Sequence, residues 1–328
     1  MRVAEVTAFG GPDVLRPADR PDPEPGPGEV LVVVHAATVN PTDLSTRDGS
    51  RRRRMPDLEP PFVLGWDLSG EVLSTGARVV GMIPFVQIGG RVGAYAERVA
   101  VDPSWLAPLP VGVPFEEAAT LPLNALTARQ SLDLLGLAAG DTLLVTGASG
   151  GVGGFAVQLA VADGLRVIAV AGRDDEEWVA SLGAHEVLAR DADLSGIERV
   201  DGVLDAGSLG PGASTAAVRD GGMAVFTRPP NPPEPDRDLR YETILVKPDA
   251  AMLSGLAEQL AAGRLRTRVA HVLPLEEAAR GHELAEAGGL RGKVVLVPED
   301  RWPEEARERW QGSCWYTGHS PGRGPGAR

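Results

Sequence analysis

A chain of 328 residues, at roughly 150 per domain, has room for about two domains, and 32 Lys plus Arg against 45 Asp plus Glu leave a net charge of −13 that speaks against a general nucleic-acid binder. Hydrophobic residues at 43% and charged residues at 23% lie near the averages for folded domains and exclude wholesale disorder. The single Cys314 excludes an internal disulfide and a multi-cysteine zinc cage. With no N-terminal signal pattern and no apolar run of about 18 residues, the expectation is a soluble cytoplasmic protein without a membrane partner.

The first third of the chain reads as short strands. Val3 to Phe9 is strand-like, and the proline-rich stretch from Pro21 to Gly28 is a surface connector, because proline lacks a donor and clashes with a preceding helical turn. Val30 to Ala36 is the continuous β-branched run that a strand buried on both faces needs. Further strands are expected near Phe62 to Leu64, Gly70 to Leu73, Val79 to Met82 and Tyr95 to Val101. From Phe115 to Leu135 the spacing turns helical, interrupted by Pro122.

From Asp141 the pattern becomes strand, glycine turn, helix, and repeats. Thr142 to Val145, Arg166 to Ala171, Val187 to Leu188, Val200 to Leu204 and Met223 to Thr227 are strands, and Gly151 to Asp163 and Asp175 to Leu182 are helices. Such alternation specifies a parallel sheet with helices on both faces. A helix from Ala250 to Ala262, a strand Val269 to Leu273, a helix Leu275 to Ala287 and a strand Lys293 to Val297 close the folded part. Residues 299–328 mix charges with Gly and Pro and read as an appendage, in which Trp302, Trp310, Trp315 and Tyr316 are candidates for docking.

The strongest constellation runs from Thr146 to Gly154, TGASGGVGG, between a strand and a helix. As a dinucleotide fingerprint, Ala148, Gly150 and Gly153 take its three glycine places. Gly150 lets the main chain approach a pyrophosphate and Gly153 lets the helix pack on the sheet. The helix start adds free N–H groups and a positive dipole end. The bland alternative is a tight structural turn. A Walker P-loop is rejected because Gly154 and Phe155 stand where Lys and Ser or Thr belong. The short-chain dehydrogenase pattern fails too, since Tyr95, Tyr241 and Tyr316 are followed four residues later by Val99, Leu245 and Ser320 instead of Lys.

An NAD site places an acidic side chain about 20 residues past the turn, where an NADP site offers room and positive charge. Here that place holds Gly172 and Arg173, which favours NADPH through a bidentate guanidinium contact. Asp174 and Asp175 follow and have the alternatives of pairing with Arg173 or capping the next helix.

Together with Pro23 to Val30, Val39 to Asp43, Leu64 to Gly70, Gly93 to Glu97, Leu121 to Ala128, Leu182 to Ala184 and Gly292 to Leu296, the turn makes the chain resemble the medium-chain dehydrogenase/reductase superfamily, and within it the zinc-independent quinone oxidoreductase group. The resemblance spans residues 1 to about 298. It implies an α/β fold in which a Rossmann doubly wound parallel sheet is inserted in a mostly β GroES-like catalytic domain: residues 1–122 and 265–298 catalytic, 123–264 NADP-binding, 299–328 outside both. It also implies a homodimer with its active site in the cleft between domains.

Zinc-binding members of this superfamily use Cys and a His and Glu pair. The matching places here are Asn40 to Asp43 and Gly65-Trp66-Asp67, with no thiolate or imidazole, and His35, His185, His271, His282 and His319 show no ligand spacing. The expected metal is none. Hydride transfer then depends on positioning and on donors aimed at the developing charge, which favours quinones and α,β-unsaturated carbonyls as acceptors.

By family position Asn40 and Thr127 face the nicotinamide, Asp43 and Asp67 shape the cleft, and Tyr95 is a candidate proton donor, with water as the alternative source. The candidate catalytic residues are thus Asn40, Asp43, Asp67 and Tyr95. The candidate cofactor residues are Asn40, Thr127, Ala148, Ser149, Gly150, Gly151, Val152, Gly153, Gly172, Arg173 and Lys293. Two features depart from the family: a shortened stretch between Gly70 and Met82, and the run Arg51 to Arg54, which reads as a solvated loop or as an attractor for an anionic substrate. The expected activity is NADPH-dependent reduction of a quinone or enone. The rivals are an enoyl or enone reductase dedicated to one biosynthetic substrate and a low-turnover NADPH-binding sensor.

Overall fold

The computed structural model describes residues 1–228 and 237–298. The expected appendage, with its three tryptophans, Cys314 and His319, lies outside these residues. Among them are sixteen strands: β1 (Arg2–Val6), β2 (Leu15–Asp19), β3 (Val30–Thr38), β4 (Phe62–Val63), β5 (Asp67–Val72), β6 (Arg78–Met82), β7 (Arg98–Val101), β8 (Leu106–Pro108), β9 (Thr142–Thr146), β10 (Arg166–Ala171), β11 (Glu186–Ala189), β12 (Val200–Asp205), β13 (Val218–Phe226), β14 (Arg240–Thr243), β15 (Val269–Pro274) and β16 (Lys293–Val297). The α-helices are α1 (Pro41–Arg47), α2 (Phe115–Ala118), α3 (Pro122–Leu135), α4 (Gly151–Ala162), α5 (Glu176–Ser181), α6 (Pro211–Thr215), α7 (Ala250–Ala261) and α8 (Ala278–Ala287). None of the described helices is long and apolar enough to cross a membrane.

The strands from the middle of the chain form one parallel six-stranded sheet in the order β11-β10-β9-β12-β13-β14. Strand β9 and its helix start the run, and the order reverses between β9 and β12, the crevice where doubly wound sheets bind ligands. Leu143, Leu144 and Val145 are fully buried because helices cover both faces.

The chain ends build the other body. Its main sheet runs β15-β16-β3-β5-β6-β8, with β7 also on β3, and a small sheet β2-β1-β4 lies beside it. Apolar β3 is central here, between β16 and β5, which explains its unbroken β-branched run. The two bodies thus match an α/β fold with a nucleotide-type sheet inserted in a mostly β domain.

Several elements differ from the sequence expectation for identifiable reasons. The helix expected over 115–135 is two, α2 and α3, with Pro122 in the first turn of the second, where its missing N–H costs nothing. Strand β1 stops at Val6, because the Thr7 N–H turns to the Val14 carbonyl (2.9 Å) and starts a hairpin into β2. β2 is an edge strand, exposed at most positions and carrying Pro17, so it has no alternating apolar pattern to read. Strand β7 begins at Arg98; Tyr95 precedes it, its N–H bonded to the Leu64 carbonyl at 2.8 Å. The shortened stretch between β5 and β6 is a tight turn, with Gly76 at φ +68 and the Val72 N–H bonded to the Ala77 carbonyl at 2.9 Å.

Candidate active site

Two groups of side chains meet near the start of α4. The first is a buried polar knot where β3, α1, β5, α3 and β16 converge. Asn40 ends the excursion from β3 and caps α1, and Asp43, three residues on, accepts the Asn40 backbone N–H at 2.9 Å in the reciprocal half of a capping box. The other Asp43 oxygen accepts the Gly65 N–H at 3.2 Å. Asp67, at the start of β5, accepts the Thr38 hydroxyl (2.5 Å) and the Asn40 side-chain amide (2.7 Å) on one oxygen, and the Leu123 N–H (2.6 Å) on the other. The Asn40 amide oxygen accepts the Lys293 ammonium at 2.6 Å and the Asn124 amide at 3.3 Å. Lys293 also donates to the Val39 carbonyl at 2.7 Å.

Asn40, Asp43 and Asp67 are thus brought together and fully buried. Burial pushes the Asp43 carboxyl up to about 7, opposed by the Asn40 N–H and assisted by the charge of Asp67. Burial also raises Asp67, against the Thr38 hydroxyl and the Lys293 charge, and lowers Lys293, against both carboxylates. The attraction of the two carboxylates offsets part of the cost of burying the Lys293 charge.

Thr127 lies near this knot on α3, but its hydroxyl turns back to the Leu123 carbonyl at 2.5 Å. Tyr95 is fully buried beneath the knot. Its hydroxyl donates to the Thr38 carbonyl (3.4 Å) and stands 3.3 Å from His282 Nε2, and burial together with the charges of Asp43 and Asp67 raises its pKa well above the usual phenol range. This places Tyr95 in the core. Sequence reading did not find the partners behind it. Arg47, 2% exposed, donates to His282 Nδ1 (3.1 Å), to the Gly10 carbonyl (3.0 Å) and to Glu286. A guanidinium can only donate, so the His282 proton sits on Nε2, facing Tyr95. Burial and the Arg47 charge hold His282 down to about 3, and it stays neutral.

The second group is the glycine turn. Gly147 has φ +63, and a Cβ there would overlap Gly207 at the end of β12; a Cβ on Gly153 would overlap the Gly147 carbonyl, so α4 can sit this close to β9 only with glycine at both places. Gly150 is the N-cap of α4 and no side chain caps it. The first-turn amides of Gly151, Val152 and Gly153 therefore face outward with no side-chain acceptor, the arrangement that receives an anion. Ala148 is buried and its N–H is bonded to the Val170 carbonyl at 3.1 Å, whereas Ser149 lines the pocket beside the turn.

A Cβ on Gly151 would overlap the Asn124 side chain, so this turn touches the polar knot directly. Asp205, at the end of β12, secures the opposite side: it accepts the Thr146 hydroxyl (2.5 Å) and the N–H groups of Leu209 and Gly210 (both 3.1 Å). An acid closing the apolar end of β12, Val203-Leu204-Asp205, was the available signal for it, and for Asn124 it was the spacing of three residues from Thr127 on one helix face.

Gly172 is extended and leads into Arg173, which is 79% exposed and among the described residues reaches only the equally exposed Asp191, at 3.8 Å. Asp174 and Asp175 do not pair with Arg173 and Asp175 makes no side-chain cap. They pair with Arg291 (3.3 Å) and Arg268 (2.9 Å), across the cleft. Among the described residues no group of three His, Cys, Asp or Glu side chains could hold a metal ion. The donor set at the knot fits a metal poorly in any case, because its two carboxylates already accept five hydrogen bonds. By contrast, the glycine-bounded space and uncapped amides fit a dinucleotide diphosphate.

The chain matches the family descriptions "Alcohol dehydrogenase GroES-like domain" over residues 26–111 and "Zinc-binding dehydrogenase" over residues 182–296. It is 31% identical to a quinone oxidoreductase of Lama guanicoe, covering 90% of this chain and 97% of that one, and 29% identical to a 2-methylene-furan-3-one reductase of Solanum lycopersicum, covering 91% and 79%. Among solved structures, the quinone oxidoreductase from Coxiella burnetii superposes with a TM-score of 0.81 at 30% identity, over 90% of this chain and 99% of that one.

Proposed function

Because this chain belongs to the medium-chain dehydrogenase/reductase superfamily, in its quinone oxidoreductase group, we propose that it is an NADPH-dependent, zinc-independent reductase of quinones and α,β-unsaturated carbonyls, working as a homodimer. The observation that carries the reading is the Asn40 amide. Its nitrogen is held by Asp67 and its oxygen by Lys293, it adjoins the glycine turn through Asn124, and it begins the stretch Asn40 to Asp43, which offers no thiolate or imidazole to a metal.

NADPH, when bound, supplies the hydride. The protein's part is positional. The amides of Gly151 to Gly153 and the α4 dipole take up the negative diphosphate, and Lys293, held by the Asn40 amide, lines the pocket beside the turn. Lys293 adds a positive charge near an oxygen that gains electron density, without proton transfer from a metal-bound water. Tyr95 faces Thr38 and His282 inside the core, which favours solvent as the proton source. Exposed Arg173, which meets only the equally exposed Asp191 at 3.8 Å among the described residues, is the group proposed to select the 2′-phosphate. The tomato relative, named for an unsaturated furanone, supports the enone as an acceptor class.

The test is the loss of nicotinamide absorbance with NADPH or NADH and a panel of quinones and enones. NADPH is consumed, a chelator changes nothing, and Arg173→Glu weakens NADPH about tenfold relative to NADH, which is about 1.4 kcal/mol. Equal use of NADH, or loss of activity with the chelator, contradicts the assignment. Tight NADPH binding with no acceptor reduced selects the sensor.

A further inference from the structure

Beside the glycine turn lies a pocket to which both bodies of the protein contribute. Ser149, Gly150 and Gly151 line one side; Trp178 on α5 and Arg266 and Arg268, from the segment entering β15, line another. The guanidinium carbons of both arginines lie 4.6 Å from the centroid of the same Trp178 ring. The segment that carries them is anchored. Gln158, buried in α4, donates to the Arg266 carbonyl (3.0 Å) and accepts the Arg266 N–H (2.8 Å), as a strand neighbour would. Arg268 donates to Asp175 (2.9 Å) and to the Ser149 carbonyl (3.3 Å), which holds its fork against the turn.

The charges are incompletely matched. Arg266 reaches only the carbonyl and hydroxyl of Ser181, at 3.2 and 3.3 Å, and has no carboxylate partner among the described residues. Two guanidiniums held at one ring repel each other, and the ring offers each of them only a weak attraction. In a chain of net charge −13, such a concentration of positive charge at the mouth of uncapped helix amides needs a reason. An anion between the arginines and the amides of α4 would relieve the repulsion and take a bidentate contact from each fork.

We propose that Arg266 and Arg268, stacked on Trp178, are a phosphoryl clamp for the dinucleotide, supplied by the catalytic body across the cleft from Arg173. This rests on the nucleotide reading above and extends it, because it makes cofactor binding tie the two bodies together. The dinucleotide carries phosphoryl groups in two places, its diphosphate and the adenosine 2′-phosphate, and the clamp's chemistry suits either.

Calorimetry of the full chain with adenosine, ADP and 2′,5′-ADP tests it, comparing the wild type with Arg266→Gln, Arg268→Gln and Arg268→Lys. Each Gln variant is expected to weaken phosphorylated ligands about tenfold, the size expected for a hydrogen bond between charged groups, and to leave adenosine unchanged; Lys restores part of the loss. A loss for ADP and 2′,5′-ADP alike puts the clamp on the diphosphate, and a loss for 2′,5′-ADP alone puts it on the 2′-phosphate. Tryptophan fluorescence gives a second readout: the change on nucleotide binding should vanish in Trp178→Phe. Variants that bind both nucleotides as the wild type does overturn the clamp alone. A wild type that binds no nucleotide overturns the nucleotide reading, and the clamp with it.

Discussion

The knot around Asn40 and the pocket around Trp178 are both built from charged and polar side chains, within reach of the same helix start, yet they obey opposite rules. In the knot, Asp43, Asp67 and Asn40 are fully buried, and Asp67 alone accepts three hydrogen bonds. In the pocket the cations are partly exposed, and one of them touches only neutral oxygens. The buried carboxylates spend acceptor sites on protein donors, Asp43 on the Asn40 and Gly65 N–H groups and Asp67 on Thr38, Asn40 and Leu123, which fixes Asn40 in place. An open guanidinium with unused donors is where a ligand's energy can be gained.

The sharpest way to break this contrast is Asp67→Ala. It leaves the Leu123 N–H, the Asn40 amide and the Thr38 hydroxyl without their acceptor, and should cost about 3 kcal/mol or more, read from the midpoint of urea unfolding. A shift no larger than that of a surface substitution would mean that the knot is not a structural unit.

Next is the pH dependence of stability. Asp43 rises from 3.8 to about 7 on folding, so the folded protein binds the extra proton between those values. Its contribution is full below 3.8 and is lost as pH rises through about 7. His282 moves the other way, from 6.5 to about 3, so its contribution is full above 6.5 and is lost as pH falls toward 3. Asp43→Asn should therefore remove the decline in stability from about pH 4 to about pH 7, and His282→Gln should flatten the acid side. Unchanged slopes in both variants would show that the two groups are wetter than their burial indicates.

The smallest effect is expected at the open end. Arg291 and Asp174 pair at 3.3 Å, with side chains 57% and 86% exposed, and Arg291→Ala should change stability by less than about 0.5 kcal/mol. A loss comparable to that of Asp67→Ala would erase the distinction between the two regions.

Much of the architecture was legible before any coordinates. The β-branched run of β3 and the strand, glycine turn and helix of β9 and α4 each express a local rule that tertiary contacts did not override. The order of motifs was enough to identify the family. Elements without such a rule were not legible. The polar edge strand β2, and α1 with Asn40 as its cap, depend on neighbours far along the chain. The site divided along the same line. That Gly153 lets α4 pack against the turn after β9 could be read from spacing, because helix packing is a short-range demand. That Asp175 pairs with Arg268, that Arg266 shares Trp178 with it, and that Arg47 fixes the His282 proton toward Tyr95 only the tertiary structure decided. Those partners lie tens to hundreds of residues apart, and a long-range hydrogen bond or ion pair leaves no periodic trace in the chain that makes it.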